Sequence, residues 1–245
     1  MKRVMLVVAY DGTNYCGWQI QANGITVQEE LNRCLSKLLK EPIQTVGASR
    51  TDAGVHALGN VAVFDTAARM PAEKISYALN TYLPEDIRIQ YSAEVAADFH
   101  PRYCESEKTY EYRILNRRFP LPTQRLYTYF YHYKLDVEKM REGASSLVGR
   151  HDIASFCGAN AQVKSTVREV TGIDIEKKDD VITIQVRGRG FLYNMVRIIA
   201  GTLIEIGNKQ YPPEKMGEIL RACDRQQAGP TAPACGLTLK EIKFL

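Results

Sequence analysis

Two hydrophobic periodicities alternate along this chain, and they do so twice in the same order. From Arg3 to Tyr10 apolar residues fall at alternate positions, the mark of a half-buried strand. From Val27 the period changes: Val27, Leu31, Cys34, Leu35, Leu38 and Leu39 share one helical face, and Thr26 with Glu29 has capping-box spacing. Strands are predicted at about 43–48 and 60–66, a helix at about 72–81 and a strand at about 87–95, which gives βαββαβ. The same order returns as a strand at 108–115, a helix at 136–148, strands at 166–176 and 181–188, a helix at 194–207, an additional helix at 213–224 and a last strand at 238–244. A sheet that is apolar on one face has to be covered by helices, so the pattern predicts an α+β chain of two ferredoxin-like βαββαβ halves with antiparallel sheets. The periodicity breaks at FHPRYCESE, and the halves are taken as residues 1–100 and 101–245.

With 245 residues, 45% of them hydrophobic and 24% charged, the chain can bury its own core with no metal or disulfide staple. Its six cysteines form no C-x-x-C pair and lie far from the four histidines, which argues against a metal site and for thiols in a reducing compartment. The opening run MKRVMLVVAYDG meets Asp11 and Gly12 with no small-residue cleavage site after it, so it reads as a first strand rather than a signal peptide. No run approaches the roughly 18 apolar residues of a membrane span. These features predict a cytoplasmic protein. The net charge of +4 says little about partners. Its distribution says more: Lys108, Arg113, Arg117, Arg118 and Arg125 cluster in one stretch, and Arg187, Arg189 and Arg197 in another, as a polyanion-binding surface or as solvated charge.

The segment richest in chemistry is GASRTDAGVHA, Gly47 to Ala57. A carboxylate, a nearby arginine, small residues and glycine following a strand suit a tight loop whose backbone lets a bulky ligand approach. Arg50, two positions from Asp52, can orient the carboxylate and hold it ionised. An aspartate in such a loop serves equally as a turn or cap residue, and spacing alone does not choose.

RTDAGVHA, Arg50 to Ala57, resembles the central motif of TruA-type tRNA pseudouridine synthases. YDGTNYCGWQIQ (Tyr10 to Gln21) is similar to that family's N-terminal signature, and LPEDI, FHPR, KTYEYRI and FLYNMVRIIAG follow in the family's order. The resemblance spans nearly the whole chain and implies the pseudouridine synthase fold. It implies Asp52 as the catalytic carboxylate and Tyr110 as the ring that stacks on the target uracil. Arg50 corresponds to the motif arginine that helps open the RNA stem and keep the target base outside it. Arg197 corresponds to an active-site arginine able to pair with the aspartate. The implied reaction isomerises tRNA uridines at positions 38, 39 and 40 of the anticodon arm, in a homodimer whose subunits shape a basic cleft. It involves no redox change or group donor, so no cofactor is implied. Ser49 departs from the family, which commonly has glycine there, and a serine can narrow the loop's backbone freedom.

Other readings stay open. A non-catalytic RNA-binding protein can use the same halves, whereas a nucleoside hydrolase or glycosylase wants a second acid, a metal or a positioned water, and Asp52 has no sequence-near carboxylate partner. RGRGFLY (Arg187 to Tyr193) partly fits the aromatic motif of RNA-recognition modules, but Arg189 stands where that motif has an aromatic. His56 has no nucleophile at matching spacing, and the family gives it no chemical role. The alternating Tyr127, Tyr129, Tyr131 and Tyr133 read most simply as a strand face.

Overall fold

The computed structural model describes residues 1–159 and 163–245. They separate into two units, Met1–Ser106 with Leu239–Leu245, and Glu107–Thr238.

In the first unit the alternation of the opening run becomes strand β1 (Lys2–Tyr10), which buries Val4, Leu6, Val8 and Tyr10. Helix α1 (Val27–Leu39) follows, then the two-residue strand β2 (Val46–Gly47), β3 (His56–Thr66), helix α2 (Ala72–Leu79) and β4 (Ile87–Val95). Strand β1 lies between β3 and β4, antiparallel to both, and β2 pairs with the end of β3 through Val46 opposite Val63 and Gly47 opposite Ala62. The closing strand of the chain, β10 (Leu237–Phe244), neighbours β3 and from Leu239 onward belongs to this unit. Val27, Leu31, Cys34 and Leu35 of α1 and Ala72, Ile75 and Leu79 of α2 are buried, as the 3.6 period requires. The Thr26 hydroxyl caps α1 by accepting the Glu29 amide at 3.3 Å.

The second unit opens with β5 (Ser106–Asn116), whose Tyr110, Tyr112 and Ile114 are buried. After the short strand β6 (Tyr129–Tyr131), parallel to β5, come helix α3 (Val137–Ser145), β7 (Gly149–Asp152), β8 (Val167–Lys178), β9 (Val181–Arg189) and the helices α4 (Met195–Gly207) and α5 (Lys215–Ala222). The strand order is β5-β9-β8-β7, antiparallel at every step. Helix α4 is buried on nearly every side and packs on α3. Strand β7, which the periodicity did not announce, is four residues long, too short to show a period. The tyrosine alternation becomes strand at Tyr129–Tyr131 only, the strand β6, where the Tyr131 hydroxyl accepts from Asn208 Nδ2 at 2.7 Å.

Among the described residues no helix is long and apolar enough to cross a membrane. Thr26→Ala removes the side-chain acceptor that caps the start of α1. The expected cost is about 1 kcal/mol, a fall in melting midpoint of about 2–4 °C for a chain of this size. Calorimetry of the two proteins side by side measures it; unchanged midpoints would show that α1 does not depend on its cap.

Candidate active site

The loop from Ala48 to Val55 is built onto the end of β3 and fixed from the other side by the segment Tyr10–Trp18. Where the β2–β3 ladder ends, the Ala48 amide still donates to the Val61 carbonyl at 2.7 Å. Beyond it the wholly buried side chain of Asn60 takes over, with Oδ1 accepting the Ser49 amide at 3.3 Å and Nδ2 donating to the Ser49 carbonyl at 3.1 Å. Ser49 is absent from the non-glycine residues with positive φ, so serine sits at the family's usual glycine position without left-handed strain.

Thr51 and Asp52 follow. The Thr51 hydroxyl lies 2.7 Å from the buried Tyr10 hydroxyl, and the Thr51 carbonyl accepts the Trp18 amide at 3.1 Å. Asp52 starts a tight turn: its carbonyl accepts the Val55 amide at 3.1 Å, and Gly54 at the third position has φ +75°, as a type II turn requires. The Gly54 amide donates to the Tyr15 carbonyl at 3.2 Å. Gly17, at φ +82°, lies so close that a Cβ there would stand 2.5 Å from the Thr51 carbonyl oxygen and 3.0 Å from the Asp52 carbonyl carbon.

The clamping segment is itself tied down. The Val27 and Gln28 amides at the start of α1 donate to the carbonyls of Gly17 and Trp18 at 3.2 and 3.0 Å, so helix-end donors that need partners find them in this loop. The Tyr15 hydroxyl donates to Asp86 Oδ1 at 2.6 Å, and the Asp11 amide to the Asp86 carbonyl at 2.9 Å. Burial, and then the Asp86 carboxylate, raise the Tyr15 phenol well above its usual pKa, so it stays a donor. His56 is buried, and its Nδ1 lies 3.1 Å from both the Gly12 amide nitrogen and Asp11 Oδ1, contacts that tie the ring to the Asp11–Gly12 turn.

Asp52 is thereby held half-buried on a rigid turn, and Arg50 is exposed beside it. A third side chain joins this loop: Arg102 Nε donates to the Gly47 carbonyl at 2.8 Å. Sequence reasoning placed FHPR in the family order and gave Arg102 no role, because the bond joins residues 55 positions apart.

On the second unit, Tyr110 sits in β5 opposite Val186 of β9, buried, with its ring edge-on to Phe191 at 5.0 Å and 75°. Arg197 lies in the first turn of α4. Its Nε donates to the Ala232 carbonyl at 2.8 Å, Nη1 donates to Asn194 Oδ1 at 2.9 Å, and its own carbonyl accepts the Ala232 amide at 3.1 Å. The helix and the 229–232 segment therefore fix the guanidinium's direction. Asp52 and Arg50 thus share one loop of the first unit, and Tyr110 and Arg197 stand on separate elements of the second. Part of the cationic clusters read from sequence is paired with acids: Arg187 meets Asp174 at 2.5 Å, Arg189 meets Glu169 at 3.7 Å, Arg117 meets Asp180 at 3.3 Å and Arg113 meets Glu111 at 3.9 Å. Among the described residues no group of three or more His, Cys, Asp or Glu side chains is placed to hold a metal ion.

A half-buried carboxylate on a turn clamped by a neighbouring loop, in an α+β chain of this strand order, defines a class of site that presents a single acid. Comparison with known sequences narrows the class. The sequence profile described as tRNA pseudouridine synthase matches residues 6–104 and 144–244. The chain is 48% identical to tRNA pseudouridine synthase A of Thermoanaerobacter sp. (strain X514) over 244 residues, covering 100% of both chains. It is 45% identical to that of Acetivibrio thermocellus and 46% identical to that of Brevibacillus brevis, each again over 100% of both chains. This chain belongs to the tRNA pseudouridine synthase family.

Gly17→Ala tests the clamp. Both the positive φ and the contact with Thr51 oppose a methyl group, and the substitution is expected to cost about 1–3 kcal/mol. Urea denaturation measures the loss, and hydrogen exchange at the Gly54 amide reports whether the turn has loosened. Wild-type stability with unchanged exchange would mean the two loops are not in register as described.

Proposed function

We propose that this chain isomerises uridine to pseudouridine at positions 38, 39 and 40 of the tRNA anticodon arm, with Asp52 as the catalytic carboxylate. The observation that carries this reading is the RTDAGVHA turn itself, intact in a chain related over its full length to enzymes named tRNA pseudouridine synthase A, and with its backbone clamped on either side of Asp52. Residues 1–100 supply Asp52 and Arg50, and residues 101–245 supply Tyr110 and Arg197.

The reaction breaks the C1′–N1 bond, turns the uracil while it stays bound, joins C1′ to C5 and releases the C5 proton, while N1 takes up a proton, so that product and substrate are isomers. One ionised carboxylate serves it as nucleophile at C1′ or C6, or as base at C2′. Tyr110 offers an aromatic face to a base taken out of its helix, Arg50 holds the vacated stem open, and Arg197, its direction fixed by Ala232 and Asn194, is the second guanidinium of the reaction centre. No electron or group donor enters this balance. The enzyme acts in the cytoplasm as a homodimer.

Asp52→Asn keeps the shape of the turn and removes charge and basicity. Single-turnover pseudouridine formation is expected to fall by many orders of magnitude while tRNA affinity, measured by filter binding at fixed salt, holds or improves, because a negative charge facing a polyanion is gone. Retained isomerisation rejects the assignment; joint loss of binding and turnover makes Asp52 a structural residue. Nucleoside analysis of the same incubation separates the alternatives, since bound but unchanged tRNA marks a binding protein and free uracil a glycosylase. Tyr110→Ala is expected to abolish turnover and Tyr110→Phe to keep most of the stacking. Full activity in the alanine variant would remove Tyr110 from the site.

A further inference from the structure

The segment FHPRY, residues 99–103, is the one family-like motif with no duty so far, and it is firmly seated. The Phe99 ring meets Phe244 edge-on at 5.0 Å, and the Phe99 carbonyl accepts from Arg3 Nη1 at 3.1 Å. The Tyr103 and Cys104 amides both donate to the His100 carbonyl, at 3.0 and 3.1 Å. Tyr103 stacks on the His100 ring at 4.1 Å and 22°, yet is 84% exposed, an unusual state for an ordered aromatic side chain.

Arg102 stands between this platform and the Asp52 turn. One of its five donors is used on the Gly47 carbonyl, which fixes the guanidinium at the root of the turn. Burial and then the nearby positive charge of Arg50 push its pKa down. Arg50, exposed, follows Gly47 by three positions in the same loop, so both arginines belong to one edge of the turn, and among the described residues no ion pair joins a carboxylate to either. Arg113, Arg117, Arg187 and Arg189, by contrast, each have an acid within 4 Å. Two like charges held together without a counter-charge are unfavourable in the free protein and favourable once an anion joins them. The guanidinium fork matches phosphate oxygens.

We propose that Arg50 and Arg102 together grip a single backbone phosphodiester of the RNA at the edge of the Asp52 turn, with the exposed Tyr103 ring against the adjoining nucleotide. The inference rests on the reading of this chain as an RNA-modifying enzyme and adds an anion site to it. It gives Arg50 a phosphate contact beside its place at the opened stem, and it makes Arg102 an RNA-binding residue.

The test is filter binding of an unmodified tRNA transcript to the full-length protein over a range of salt, for wild type, Arg50→Gln, Arg102→Gln, Arg102→Lys and the double Arg50→Gln/Arg102→Gln variant. Glutamine at 102 keeps an amide donor for the Gly47 carbonyl. Each glutamine variant is expected to bind about tenfold more weakly at physiological salt, and Arg102→Lys less so, since it keeps the charge. The double variant is expected to lose less than the product of the single losses. Its slope of log K against log salt should fall by about 0.7–0.9, one phosphate's share of released counterions. A slope equal to wild type would overturn the proposal even if affinity fell, because a merely structural Arg102 weakens binding without changing the number of phosphates neutralised. Twice that fall would overturn it too, as two independent contacts. Pseudouridine assayed in the same wild-type samples keeps the two ideas apart: absence of product rejects the enzymatic reading, whereas the slopes judge the phosphate site by binding alone.

Discussion

The close approach of Gly17 to the Thr51–Ala53 backbone is the contact on which the site depends. Two loops with no regular structure of their own lie against each other with no side chain between them, and each supplies what the other lacks. The Trp18 and Gly54 amides find acceptors across the gap in Thr51 and Tyr15, and the Asp52 turn gains a floor. Buried backbone groups must be paired, so the loops cannot separate without exposing those donors and acceptors to each other's absence. Rigidity at Asp52 is thus a result of hydrogen-bond accounting on both sides of one glycine. The α1 amides that hold Gly17 and Trp18 extend the same logic to the helix, and Asp86 extends it to the start of β4.

The distribution of charge follows a second rule. Along β8 and β9 and in the chain around β5, arginines face acids, and at exposed sites such pairs contribute little to stability. Their effect is to cancel charge locally that would otherwise attract a polyanion. A sequence count of +4 conceals this, because it sums arginines that are neutralised with arginines that are not.

Much of this was legible in the chain. Helix α1 and its Thr26 cap follow from a pattern that local backbone geometry enforces, and β1, β4, β5, β8 and β9 follow from period-two runs long enough to count. The strand predicted at 43–48 shrank to Val46–Gly47 because side chains of α1 satisfy the backbone before it: Ser36 Oγ accepts the Ile43 amide, Asn32 Oδ1 the Thr45 amide, and Gln28 Nε2 donates to the Thr45 carbonyl. The resemblance singled out Asp52, Arg50, Tyr110 and Arg197. It passed over Asn60, whose amide continues a strand ladder beyond its last residue, and Arg102, whose partner is a backbone carbonyl. Neither leaves a periodic or compositional mark, since both act on main-chain atoms far away in sequence.

The hydrogen bond from Tyr15 to Asp86 also bears on when the site comes into being. A nascent chain leaving the ribosome can form α1 and even pair β1 with β3 while the Asp52 turn still lacks its outer tie, because Asp86 follows the turn by 34 positions. Only when the start of β4 has emerged and docked on β1 is the Tyr10–Trp18 segment held at both ends. The carboxylate's setting therefore waits on residue 86, and a chain that stops short of it carries the motif without its outer tie.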